Sequence, residues 1–263
     1  MNTSAINPPA PLAHPGRRTT GLILSGCAVM FLILQGGATW LSGILDPTWA
    51  ALNVTALMLL TAAVCERLVF NLTLPQAFRA LGFGPPTARA MLAAALIACI
   101  MLLFFPVFSF IADVPIRLQA DWPWILVGAI ALNGVAEETL FRGFVFGGLR
   151  RAGLSFGRAG TIAMAIFAAV HLLLFVQSPF MIALLSTLLA LAAAFPMAYL
   201  FERGGNSVWA PALLHVAAHT IRLVDIPEPY FLLAVASWSV LGLGMPLLVF
   251  AFRRSLLAPP DCA

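Results

Sequence analysis

Lysine is absent from this chain of 263 residues, and all fourteen of its basic residues are arginine. Charged residues of either sign make up only 9% of it and hydrophobic residues 62%, whereas an ordinary soluble domain carries about 25% charge. With a mean hydropathy of +1.00, the composition excludes a soluble globular protein and points to an integral membrane protein. Cysteine is equally sparse. Cys27, Cys65, Cys99 and Cys262 show no CxxC spacing, so neither a disulfide framework nor a cysteine-ligated metal is expected. No basic cluster exceeds two residues, so the formal charge of +4 is a topology signal and not a nucleic-acid footprint. Internal repeats are missing, and with them the inverted-repeat sign of a secondary transporter. No stretch has the make-up of a soluble domain.

Long apolar runs fill the rest. Taken as membrane spans of about twenty residues, they predict an all-α bundle of eight transmembrane helices near 21–45, 48–70, 89–112, 122–149, 159–177, 179–201, 206–223 and 229–252. Leu72–Pro86, which carries Arg79 and ends in Gly-Pro-Pro, reads as a short interfacial helix closed by a turn. The proline-rich start is expected to be a disordered tail over 1–20, followed by one membrane domain over 21–254 and a short tail over 255–263. Leu24-Ser25-Gly26-Cys27 imitates a lipobox, but the apolar run continues past the cysteine, which favours a first span over a cleaved signal.

Arginine placement orients the spans. Arg17, Arg18, Arg67, Arg79, Arg89, Arg142, Arg150, Arg151, Arg158, Arg203, Arg253 and Arg254 fall on one side of the eight-span arrangement, and only Arg117 and Arg222 on the other. The positive-inside rule then predicts a multi-pass protein of the cell membrane with both termini cytoplasmic.

One apolar run holds two adjacent acids. Glu137 and Glu138 lie between Trp122 and Leu149, with Arg142 four residues after Glu138. A carboxylate at bilayer depth costs on the order of 3 kcal/mol even on the lenient insertion scale, so a pair of them demands compensation. Arg142 supplies it for Glu138 as an i,i+4 ion pair. Glu137, turned about 100° away on the helix, is left for chemistry, and the motif is expected toward the cytoplasmic end of its span. Outside the tail, which holds His14, the histidines are His171 in the fifth span and His215 and His219 one turn apart in the seventh. Their counted depths resemble that of Glu137, so the four residues can converge. Peptide hydrolysis would need such a base and such hydrogen-bond donors. Two histidines at i and i+4 also share a helix face, as zinc ligands do, which leaves a zinc site of Glu137, His171, His215 and His219 open. No motif sets a serine or cysteine beside them as a covalent nucleophile. Gly134, Ala136 and Gly143 are small enough to let a neighbouring helix or a substrate backbone approach closely.

The ordered set Glu137-Glu138-x-x-x-Arg142, Phe167-x-x-x-His171 and His215 with a polar residue four positions on resembles the signature of the CAAX prenyl protease and bacteriocin-processing (CPBP) family, also called the Abi family of intramembrane endopeptidases. The resemblance covers about residues 120–225. It implies a bundle of about eight helices around a cavity open to the cytoplasmic side and the bilayer, and cleavage of a membrane-associated peptide or protein. It further implies Glu137 as general base, His171 as its partner on the water, and His215 with the fourth-position residue as oxyanion donors. That last residue is usually asparagine or aspartate in the family and is His219 here. An amide donor at this position favours a metal-free donor role for His219 over zinc ligation. The alternatives are a catalytically inactive scaffold or bacteriocin-immunity factor and, on the buried acids and histidines alone, a proton-coupled transporter.

Overall fold

The computed structural model describes residues 17–254 and Leu257. Residues 1–16 of the expected N-terminal tail, with His14, and the expected C-terminal tail apart from Leu257 lie outside the described residues. Residues 18–20 of the expected N-terminal tail are already helical. In chain order the helices are α1 (Arg18–Ser42), α2 (Pro47–Phe70), a short α3 (Leu74–Phe78), α4 (Ala88–Ala112), α5 (Trp122–Arg151), α6 (Phe156–Gln177), α7 (Phe180–Arg203), a short α8 (Trp209–Ala218) and α9 (Glu228–Ala251). Caps mark their starts as side-chain chemistry requires. Asp46 accepts from the Thr48 amide ahead of Pro47, Thr87 from Ala90 and Ser155 from Arg158.

Seven helices among the described residues, all but α3 and α8, are long and apolar enough to cross a membrane. Side chains such as Leu68, Phe110 and Val176 stand out from the bundle with 79%, 87% and 88% of their surface exposed. Apolar surface on that scale is untenable in water and natural against lipid. The chain is therefore an all-α polytopic membrane protein.

The seventh expected span, 206–223, departs from the prediction. Its helix is only the ten residues of α8, about 15 Å at 1.5 Å per residue. It starts late because Gly205 and Asn206 take left-handed conformations at φ 85 and 55. At the other end a 3-10 turn, Thr220–Leu223, follows it. The chain nonetheless gets from one end of the bundle to the other. Before α8, the Val208 amide donates to the Gly82 carbonyl at 3.0 Å. After it, Val224–Asp225 pairs antiparallel with Arg117–Leu118, beyond the far end of α4. Hydropathy registers an apolar run and is blind to where helical geometry stops.

α3 and the π turn Arg79–Phe83 that continues it form a wedge against the arginine-rich end of the bundle, with Ala77, Leu81 and Gly82 buried and Leu74 exposed. Two glycines permit this. A Cβ on Gly143 would sit 2.2 Å from the Leu81 carbonyl oxygen, and Gly82 holds φ +97 with Phe201 and Val208 where a side chain would go. Arg151 fastens the wedge by donating to the Ala80 carbonyl at 2.8 Å while pairing with the fully buried Glu66 of α2. We expect Gly143→Ala to lower stability by about 1–3 kcal/mol, the usual cost of overpacking, because its neighbour is backbone and has nowhere to move. Gly134→Ala should cost less, since a Cβ there meets the side chain of Val216 at 2.8 Å. Thermal unfolding in detergent of the two variants checks the ranking.

Candidate active site

α5 runs through the centre of the bundle, and every residue from Thr139 to Leu149 on it is buried. It is wound as a π helix over Ile130–Glu137 and again over Thr139–Phe146. Such i→i+5 turns are rare and concentrate at functional sites. The acids lie near the middle of this 30-residue helix, not toward its arginine-rich end as the apolar run suggested. The helix extends past Leu149 to Arg151 and so shifts its own midpoint.

Glu138 is fully buried and heavily engaged. Its Oε1 accepts from Arg142 Nη1 at 2.8 Å and lies 2.6 Å from His215 Nδ1. The i,i+4 ion pair expected from the spacing is thus present, and Arg142, 3% exposed, also lies 4.8 Å above the centre of the Phe167 ring. Glu137 has a different environment. Its Oε1 accepts from Asn133 Nδ2 at 2.7 Å, its Oε2 is 3.9 Å from His215 Nε2, and among the described residues no arginine pairs with it.

The histidines close the cluster. His171 ends the first helical stretch of α6, with Nδ1 2.7 Å from the Phe167 carbonyl. A carbonyl only accepts, so Nδ1 carries the proton and the neutral ring leaves Nε2 bare. The His215 and His219 ring centres are 5.2 Å apart. Phe167 is the packing hub. Its ring lies 4.6 Å from Phe141, 4.7 Å from His171 and 6.5 Å from His215, so it holds α5, α6 and α8 at one spacing around the acids. The structure therefore gathers Glu137, Glu138, Arg142, His171, His215 and His219 from three helices into one place.

Two features escaped the sequence reading. Asn133, which grips Glu137, was not singled out, although a polar residue four positions before the acid in an apolar span was the available signal. The bond from His215 to Glu138 is the second, because sequence spacing groups His215 with Glu137, His171 and His219 and assigns Glu138 to Arg142. This bond bears on the zinc alternative. Among the described residues, no group of three or more His, Cys, Asp or Glu side chains is disposed to hold a metal ion, although the bond to Glu138 leaves His215 Nε2 free, as it would be in a metal-bound histidine. The set Glu137, His171, His215 and His219 does not fit zinc as arranged.

A cleft of about 450 Å³ leads toward this cluster. Asp46, Asp121 and Arg222 stand at its outer part and Leu132 and Asn133 at its inner end. Asp46, Asp121 and Arg222 belong to the arginine-poor end of the bundle. No curated protein and no solved structure matches the chain. Residues 119–221, less than half of it, match the family model described as type II CAAX prenyl endopeptidase Rce1-like. The matched stretch contains both acids, Arg142, Asn133 and the three clustered histidines. Over that segment the chain is similar to the Rce1-like type II CAAX prenyl endopeptidases.

Proposed function

We propose that the protein is an intramembrane endopeptidase that hydrolyses a peptide bond of a membrane-associated substrate with a water activated by Glu137. The observation that carries the reading is the division of labour between the acids. Glu138 is consumed by Arg142 and His215, whereas Glu137 has one oxygen held by an amide and the other facing His215.

In this mechanism Glu137 Oε2 takes a proton from water as the water oxygen adds to the substrate carbonyl carbon. His171, its Nδ1 committed to the Phe167 carbonyl, offers Nε2 as an acceptor that orients the same water. Charge then gathers on the carbonyl oxygen, where preorganised donors contribute most. His219 can donate from one ring nitrogen. His215 can donate from Nε2 while Nδ1 serves Glu138, provided the ring is doubly protonated. When the carbon–nitrogen bond breaks, Glu137 returns its proton to the leaving amine. No step runs through a metal. Apart from Arg142, which is buried inside the bundle, eleven arginines fall toward one end of the chain's helices against two toward the other, which supports placing both termini in the cytoplasm of a cell whose plasma membrane holds the protein.

The test is a comparison of peptides released in membranes expressing the wild type and Glu137→Ala. Products present with the first and absent with the second support hydrolysis, and identical peptide sets refute it. The role of His219 separates two outcomes further. As a donor it is replaceable, so His219→Asn should keep activity within about tenfold of wild type, and a chelator should leave both proteins unaffected. Inactivation of the wild type by a chelator with recovery on adding zinc would instead make His219 a ligand.

A further inference from the structure

Trp238 of α9 donates its indole N–H to the Ala218 carbonyl at 3.1 Å, across 20 positions of sequence. The acceptor belongs to the peptide that joins Ala218 to His219. It is one of the last four carbonyls of α8, which have no amide of their own helix to accept from. Its neighbour, the Ala217 carbonyl, is taken by the Thr220 hydroxyl at 2.7 Å. His219 then leaves the helix at φ −91 and ψ 0, where the chain passes into the 3-10 turn Thr220–Leu223. Side chains thus fix the point at which α8 stops, and one of them comes from another helix.

Trp238 owes its place to α4. Pro106 has no N–H to give the Leu102 carbonyl, and its ring crowds that carbonyl, so α4 breaks at Leu103 between the stretches Ala88–Leu102 and Phe104–Ala112. Just past the break, Phe104 and Phe105 lie against the indole. Their ring centres are 5.2 and 5.0 Å from it, and Phe105 is stacked on it at 24°. Held by two rings and only 4% exposed, the indole keeps its N–H in one direction.

We infer that Trp238 is a positioning residue for His219. Its N–H holds the peptide plane ahead of His219 and so sets the direction in which the imidazole leaves the chain, 5.2 Å from the His215 ring between centres. A donor to a developing oxyanion works only at the right distance, and a misplacement of about 1 Å can cost about a hundredfold in rate. The inference rests on His219 being such a donor in a hydrolase. Trp238 lies outside residues 119–221, the stretch similar to the family model, so that likeness assigns it no role.

The test replaces the indole by benzothienylalanine, which keeps the fused rings between Phe104 and Phe105 and has sulfur in place of the N–H. Trp238→Phe is made beside it. Both proteins and the wild type, with histidine isotopically labelled at ring Cε1, are compared by NMR in nanodiscs, a reading that needs no turnover. The signal that vanishes in His219→Asn should move in both, and the signal that vanishes in His171→Asn should stay. A His219 signal unmoved by benzothienylalanine overturns the inference, and so does equal movement of the His171 signal, which would make Trp238 a packing residue only. In cleavage assays kcat should fall about ten- to a hundredfold with KM unchanged. In a His219→Ala background the same replacement should cost nothing further. Losses that multiply across the two sites overturn the inference, as does an unchanged kcat in an enzyme that Glu137→Gln inactivates. Equal cleavage by wild type and Glu137→Gln would instead remove the hydrolytic reading, and the His219 signal alone would then decide the role of Trp238.

Discussion

Glu137→Gln should slow peptide cleavage by about 10²–10⁴-fold, the usual contribution of a positioned general base, and leave the yield and thermal stability of the protein near those of wild type. Glutamine keeps the shape of the side chain and an oxygen that accepts from Asn133 Nδ2, the hydrogen bond that holds Glu137 in place. It removes only the ability to take a proton. The loss should appear in kcat with KM little changed, because the group acts in the transition state and not on bound substrate. Purified Glu137→Gln with wild-type kcat would sink the assignment. Glu138→Gln gives the contrast. It weakens both the bond to Arg142 at 2.8 Å and that to His215 at 2.6 Å, so stability should fall along with activity.

Arg142→Ala should be the more damaging change to the fold. Removing one partner of a buried ion pair typically costs about 3–5 kcal/mol, since the other charge stays buried and unpaired. Here Glu138 is fully buried, and its Oε2 already has no partner. The guanidinium also covers the Phe167 ring at 4.8 Å, so its loss loosens the hub that spaces α5 from α6. We expect little folded Arg142→Ala in detergent extracts and a markedly lower unfolding temperature for what is recovered. The double variant Glu138→Gln with Arg142→Met, which removes both charges, should regain much of that stability and none of the activity. A stable Arg142→Ala would mean that Glu138 finds another cation or is neutral in the fold.

Both predictions trace to one spacing, and spacing was what the chain made most readable. Membrane residence follows from composition, because 62% hydrophobic residues leave no other solvent for the outer surface. The long helices follow from run length, which matches bilayer thickness, and the Glu138–Arg142 pair from the 3.6-residue period of a helix. The arginine asymmetry separates the two ends. The set of motif residues marked which polar groups belong together, since each is costly in an apolar run and only a shared site repays them all.

The rest depended on contacts between residues distant in the chain. That α8 is short follows from left-handed turns at Gly205 and Asn206 and from docking on Gly82, none of which alters hydropathy. The close seating of the α3 wedge is set by the missing side chain of Gly143 against the Leu81 carbonyl, a meeting across more than sixty positions. Which acid is locked and which is left for chemistry was half visible, as Arg142 selects Glu138. Only packing brings the His215 ring to that same acid, whereas the contact of Asn133 with Glu137 lies within the i,i+4 reach that the sequence already offered. Local periodicity states which residues can face one another along a helix; which helix stands opposite, and how closely, is decided by side-chain volume in three dimensions.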